Sequence, residues 1–254
     1  MSQAKLYKYL DANGGLMMLY YKTLQFTNST QLNDPFDCHP ALVDFTNVPT
    51  DRTKIWPAEM IADLESNHYE QKRDKTYICS LTKLYDSIPM WAYYNNHQGI
   101  CIGLDMEKTR NYTDKMKGMI IGCLEWEVQY KDVIEKPDYF RPFLDLFRYQ
   151  MSTKAIEWRH EQEVRLVSYD PYPIYMRIYG KKPKRNECRD WREVRAYLDL
   201  GGNCFDSVYL GLNIADKDKK NIIKVARMCN PDIKIYQMKM DPNALRLKEE
   251  LLEI

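Results

Sequence analysis

Apolar residues in this chain fall mostly into short alternating runs divided by turn residues, with a few stretches at helical spacing. Leu6 to Leu10 alternates as a strand does, Gly14-Gly15 then interrupts it, and Leu16 to Leu24 has the spacing of a helix leading into Gln25-Phe26-Thr27. Asn33-Asp34-Pro35-Phe36-Asp37 is a turn, with Asp34 at the N-cap, Pro35 at N1 and Asp37 at N3 of a short helical turn. Residues 57 to 73 predict a surface helix carrying Met60, Ile61 and Leu64 among charges. Tyr77 to Leu81 is the next strand. Asp86-Ser87-Ile88-Pro89 starts a helix bearing Met90, Trp91 and Tyr94, which Gly99 is expected to end as a C′ residue.

Ile100 to Leu104 is a strand with small residues on one side, open to close approach at its backbone. Ile120 to Tyr130 alternates, and Phe140 to Ile156 reads as an amphipathic helix. From Glu161 to Val167 the alternation puts Val164 and Leu166 on one face and Glu161, Glu163 and Arg165 on the other. Two carboxylates and a guanidinium then share a surface. Beyond it come a strand at Pro173 to Tyr179, a basic loop, a helix over Trp191 to Leu200, a strand at Asp206 to Leu210, a helix from Asp216 to Met228, and a strand at Ile233 to Met238. Helices and strands mix without a regular βαβ period, so the expected class is α+β in a single domain over residues 1–254.

Charge changes this picture locally. Lys plus Arg number 37 against 36 Asp plus Glu, so the whole molecule has no strong pull on nucleic acid or membrane. Residues 177 to 192, however, hold Arg177, Lys181, Lys182, Lys184, Arg185, Arg189 and Arg192 against Glu187 and Asp190, with Tyr179 and Trp191 at the edges. This pattern suits a phosphate backbone with stackable bases, and equally a solvated loop. Lys181, Lys182, Lys184 and Arg185 are the candidate nucleic-acid contacts. The apolar run Leu16 to Tyr21 is far too short to span a bilayer, and no basic-flanked leader opens the chain, so no membrane contact is expected. Seven Cys, an odd number without a CxxC pair, read as free thiols in a reducing, cytoplasmic setting.

Several chemistries are set aside. There is no G-x-G-x-x-G, no Gly-rich loop ending in Lys-Ser or Lys-Thr, and no G-x-S-x-G. The four scattered His lack ligand spacing, and Cys38-His39, adjacent on a strand, would point apart, so no metal is expected. His160, beside two Glu, could serve as a base but as a strand neighbour would face away from both.

Leu6-Tyr7-Lys8-Tyr9, Asn33 to Asp37, Cys79-Ser80, Met90 to Tyr94 with Gly99 to Ile102, and Lys154 with Trp158, Glu161, Glu163 and Arg165 occur in that order. In this ordered set the chain closely resembles the bacterial family known as domain of unknown function 2971, with Leu32 and Cys79 where that family usually has Phe. The layout is also similar, more distantly, to the ADP-ribosyltransferase fold. That resemblance implies a mixed, mostly antiparallel sheet, continuous or split, with surrounding helices. It implies NAD as substrate, an early strand contributing Tyr7, Lys8 or Tyr9, a middle strand contributing Ser80, and a late strand carrying Glu163 or Glu161 as the catalytic carboxylate. Trp91 or Tyr94 would stack on nicotinamide, and Arg165 or Lys154 would hold a carboxylate or the NAD phosphates. A carboxylate accepting the ribose 2′-OH would stabilise the positive charge that grows as the nicotinamide bond breaks. A toxin or anti-phage effector is a role this activity would suit.

Two other readings stand beside it. One is a non-catalytic module that binds a nucleotide or a partner, in which the same charges are sheet-face ion pairs, Trp91 and Trp158 are core anchors, and Ser80 is a small strand residue. The other is a magnesium-dependent nuclease using Asp34, Asp37, Glu161 and Glu163.

Overall fold

The computed structural model describes residues 4–53, 59–60, 63–64, 73–114, 123–140, 143–169 and 195–253. Most of the helix expected over 57–73, the strand at 173–179 and the basic segment with Lys181, Lys182, Lys184 and Arg185 lie outside the described residues. The described part is α+β. Ten strands form one open, mostly antiparallel sheet in the order β12-β11-β10-β4-β1-β3-β2-β9, with β8 also on β3 and β5 on β8. These are β1 (Lys5–Leu10), β2 (Thr23–Asn28), β3 (Thr76–Thr82), β4 (Ile100–Asp105), β5 (Leu124–Glu127), β8 (Glu163–Tyr169), β9 (Arg195–Asp199), β10 (Phe205–Leu210), β11 (Lys234–Met240) and β12 (Leu247–Leu251). A separate parallel pair, β6 (Gln129–Lys131) and β7 (Thr153–Ala155), lies apart from it. The helices are α1 (Ala12–Tyr21), the single turn α2 (Thr50–Thr53), α3 (Ile88–Asn95), α4 (Met106–Asp114), α5 (Phe143–Ser152) and α6 (Asp216–Cys229). No helix among the described residues is long and apolar enough to cross a membrane.

The sheet forks at β3. On one side β3 pairs with β8 along its whole length, from Thr76↔Tyr169 to Thr82↔Glu163. On the other side it meets β2 at Thr27↔Ile78 and Asn28↔Tyr77, and β1 at the single pair Tyr7↔Thr82. β1 and β2 therefore splay apart along one edge of β3. In the gap the Lys8 ammonium donates to the Ser80 carbonyl at 3.0 Å, giving that acceptor a partner that no strand supplies.

Register sorts the side chains onto two faces. Leu6, Cys79, Leu81, Val164 and Leu166 face the main core, where Leu19 of α1 and Ile222 of α6 also lie. Tyr7, Ser80, Thr82, Glu163 and Arg165 share the opposite face, because Tyr7 is opposite Thr82, Thr82 opposite Glu163, and Ser80 opposite Arg165. That face is covered partly by Met90 and Trp91 of α3 and partly by Phe147 and Met151 of α5.

Several elements differ from the sequence expectation. Gly14 and Gly15 lie inside α1 rather than before it, because the Asp11 side chain caps the helix by accepting the Gly14 N–H. A side chain at Gly15 would meet Ile100, so the helix tolerates the weak former for close packing on β4. The helix expected over Phe140–Ile156 ends at Ser152, and Thr153–Ala155 runs extended beside β6. Residues 195–199, expected as helix, form β9, since pairing with all of Thr23–Thr27 overrides local helix propensity. Finally, α3 ends not on Gly99 but on Asn96, whose φ of 50° supplies the left-handed turn. β12 has no counterpart in the sequence reading.

Gly99 is required for a different reason: a Cβ there would lie 2.1 Å from the Leu10 carbonyl oxygen, a backbone atom that cannot swing aside. Gly99→Ala is expected to lower Tm by roughly 5 °C or more in thermal unfolding. An unchanged Tm would show that the β1–α3 junction yields without cost.

Candidate functional site

Five ionisable side chains meet beneath α5 on the face opposite the main core: Asp37, Lys154, Glu161, Glu163 and Arg165, all no more than 5 % exposed. Their convergence follows from local geometry. The turn at Asn33–Asp37 closes through the Asp34 carboxylate, which accepts the Phe36 N–H, and through the Asp37 N–H, which donates to the Asp34 carbonyl. It thereby delivers Asp37. The extended residues of β7 deliver Lys154. Glu161, expected on the strand with Glu163, is instead the last residue of a 3-10 helix spanning Ile156–Glu161. Gln162, at φ 43°, makes the corner into β8. The Thr82 hydroxyl donates to the Glu161 carbonyl at 2.5 Å, and the Glu163 N–H donates to the Tyr130 hydroxyl at 2.8 Å, so both sides of the corner are fixed.

Arg165 is the hub. Its Nε donates to Glu163 Oε1 at 2.9 Å and its Nη2 to Glu163 Oε2 at 3.1 Å, a two-point grip on one carboxylate. The same Nη2 reaches Asp37 Oδ1 at 2.7 Å, and Nη1 donates to the Met151 carbonyl at 2.8 Å. Lys154 bridges the two glutamates, at 2.6 Å from Glu161 Oε2 and 3.2 Å from Glu163 Oε2. Its ammonium also lies 4.8 Å from the centre of the Trp158 ring, a cation–π contact. Three carboxylates against two cations leave the cluster with one formal negative charge.

The electrostatics follow from this wiring. Burial raises the Glu163 carboxyl, but Arg165 and Lys154 outweigh it and hold the group at about 2, below its ordinary 4.5, with the Ser80 hydroxyl adding to the effect. Burial dominates at Asp37, whose carboxyl is pushed up despite Arg165 and Lys154. The Cys38 thiol, also buried beside Arg165, is pushed up to about 12 chiefly by burial, which makes it an unreactive core thiol. Burial lowers Lys154, yet Glu163, Asp37 and Glu161 together leave it raised and charged.

The residues singled out in the sequence divide into three groups. Glu161, Glu163, Arg165, Lys154 and Tyr94 come together, Tyr94 donating its hydroxyl to Glu161 Oε1 at 2.5 Å from a position 42 % exposed. Ser80 adjoins them across the strand pair, and Lys8 touches the Ser80 carbonyl from the fork. Tyr7, Tyr9 and Trp91 do not join. Tyr9 and Trp91 pack edge to face at 5.1 Å, the Trp91 Nε1 donates to the Tyr85 carbonyl, and Tyr7 leans on Tyr85 and Tyr209. His160, on the 3-10 helix rather than a strand, uses Nδ1 on the Glu157 carbonyl.

Asp37 is the member whose link to Arg165 sequence reasoning missed. It lies 128 positions from Arg165, and the sequence groups it with Glu161 and Glu163 only as a candidate magnesium ligand, not as a partner of the guanidinium. Of the carboxylates proposed to hold magnesium, Asp37, Glu161 and Glu163 pair with Arg165 and Lys154 while Asp34 is used within its own turn, and no three His, Cys, Asp or Glu among the described residues are placed as metal ligands. Comparison with protein-family models, with curated proteins and with solved structures gives no match.

Removing one partner of this network strands buried charge. Arg165→Met should cost about 3–5 kcal/mol in unfolding free energy, because it leaves Glu163 and Asp37 without their main cation. Since folding depresses the Glu163 carboxyl, its stabilising contribution is full above pH 4.5 and is lost as pH falls towards 2. The stability gap between wild type and Glu163→Gln should therefore narrow over that window in denaturant titrations. A gap independent of pH would contradict the ionised assignment.

Proposed function

We propose that the chain binds NAD at the forked face of the sheet and cleaves the nicotinamide–ribose bond, as an ADP-ribosyltransferase or NAD glycohydrolase. The observation carrying this reading is the asymmetry between the two glutamates. Glu163 is clamped on both oxygens by Arg165 and Lys154, whereas Glu161 presents Oε1 to the hydroxyl of half-exposed Tyr94. A rotation of Tyr94 opens Glu161 to a ligand. The roles suggested by sequence order are thus exchanged: Glu161 is the reacting carboxylate and Glu163 the charge that, with Lys154, positions it.

Three further features support the reading. Buried ion pairs are not an economical source of stability, since desolvation costs several kcal/mol per ion and an apolar replacement often does as well. A cluster of this size is therefore better explained by a site than by core energetics. Lys8, Ser80 and Glu163, from an early, a middle and a late strand, follow the order implied by the resemblance, with Lys8 on the Ser80 carbonyl and Ser80 one strand away from Arg165, which grips Glu163. Tyr94, Trp158 and the 76 % exposed Tyr93 offer ring faces near Glu161 for a planar base. In the reaction the ribose C1′–N bond breaks, its electron pair leaves with nicotinamide, and Glu161 stabilises the ribose cation. The acceptor is water, a protein side chain, or a nucleic acid drawn by the basic segment at 177–192.

One observation favours the second reading, a binding module without chemistry: each oxygen of Glu161 and Glu163 already has a hydrogen-bond partner. A single experiment separates the two. Wild type, Glu161→Gln and Glu163→Gln are melted with and without NAD while nicotinamide release is followed. The transferase reading predicts NAD stabilisation of wild type and Glu161→Gln, release reduced about 100-fold or more in Glu161→Gln, and a lowered Tm in Glu163→Gln. NAD stabilisation without release from wild type would favour the binding module. No stabilisation and no release would overturn the proposal.

A further inference from the structure

We propose that the outer edge of β12 is a self-association surface that pairs antiparallel with β12 of a second copy of this chain, extending the sheet across a two-fold axis. Among the described residues no strand pairs with that edge. The direction of the backbone groups fixes which residues can pair. The Leu252 N–H donates to the Ile235 carbonyl and the Asp241 N–H to the Arg246 carbonyl, so even-numbered residues of this stretch turn their amides and carbonyls towards β11. Leu247, Glu249 and Leu251 therefore direct theirs outwards.

An antiparallel partner must place outward residues opposite outward residues. Three symmetric registers satisfy this over most of the strand, centred on residue 248, 249 or 250. The first sets Lys248 against Lys248 and Leu247 against Glu249, and the third Glu250 against Glu250 and Leu251 against Glu249, so both add an apolar–charged mismatch to a like-charge pair. Centring on Glu249 sets Leu247 opposite Leu251 twice and Lys248 opposite Glu250 twice, and it uses every outward amide and carbonyl of the strand. Only this register sets leucine against leucine and Lys248 against Glu250 while using the whole strand, and that complementarity of the stretch to itself points to a copy of the same sequence as the occupant. The apolar contribution is consistent with this occupant, since Leu251 is 53 % exposed and Met240, which lies on β11 opposite Leu247, is 71 % exposed. Glu250 already pairs with Lys239 on the inner side, an exposed contact that leaves its carboxylate open to a second cation. The unfavourable element is Glu249 facing its own symmetry mate, which keeps the association weak and reversible.

Sedimentation equilibrium of the full chain, from about 1 µM to 1 mM, tests the proposal. Wild type should show a monomer–dimer equilibrium within that range, and Glu249→Gln should tighten it by removing the like-charge pair. Lys248→Glu should weaken it at least tenfold, and adding Glu250→Lys should restore it by exchanging the charges. Glu249→Pro removes an outward N–H without touching the β11 ladder, and should give a monomer with a Tm close to that of wild type. The proposal is overturned if wild type stays monomeric throughout, if Lys248→Glu or Glu249→Pro dimerises as well as wild type, or if the charge exchange fails to restore association.

Discussion

A guanidinium removed from water must find acceptors for its donors, and the fully buried Arg165 finds them in three separate parts of the chain. Glu163 comes from its own strand, Asp37 from the early Asn-Asp-Pro turn, and the Met151 carbonyl from the end of α5. The requirement works in both directions: the two carboxylates are tolerable in the interior because Arg165 is there. The turn, the helix and the strand are thereby tied to one point, and the cover over this side of the sheet rests on it.

Lys154 extends the arrangement to Glu161, and this second cation separates the carboxylates by role. Glu163 is held by both cations and stays ionised. Glu161 shares Lys154 but has Tyr94, a side chain at the surface, on its other oxygen. The fork between β1 and β2 adds a mechanical element. Where a continuous sheet would place another strand against Ser80, the chain places the Lys8 ammonium, so the two wings join at Tyr7↔Thr82 rather than along a full ladder. A ligand binding on this face would meet a joint between two wings, which is where a small change in strand spacing is least costly.

Many strand positions were legible from short apolar or alternating runs bounded by turn residues: β1, β3, β4, β8 and β10 all lie within a residue or two of the sequence reading. Legibility failed where tertiary contacts override local preference. Residues 195–199 read as helix until β2 is placed beside them, and β12, with Lys248-Glu249-Glu250, carries the charges of an exposed edge and little apolar signal. The site was half legible. Glu161, Glu163 and Arg165 were grouped by period-two spacing, yet Glu161 reaches Lys154 through the left-handed corner at Gln162, a geometry that no alternation rule contains. Asp37 was grouped with Glu161 and Glu163 only as a candidate magnesium ligand; its pairing with Arg165 was beyond reach, because a contact across 128 positions leaves no local pattern. Tyr7, Tyr9 and Trp91 were grouped with the site by family order, and packing assigns them to an aromatic cluster instead.

The most direct test of this account is a double-mutant cycle between Asp37→Asn and Glu163→Gln, read as unfolding free energy at neutral pH. Both carboxylates share the Arg165 guanidinium, so either single variant leaves that cation one anionic partner, and the double variant leaves it none. The double variant should lose more than the sum of the singles, by at least about 1 kcal/mol. Additivity within about 0.3 kcal/mol would mean that the two contacts are independent, and that Arg165 is not the point on which the cluster is built.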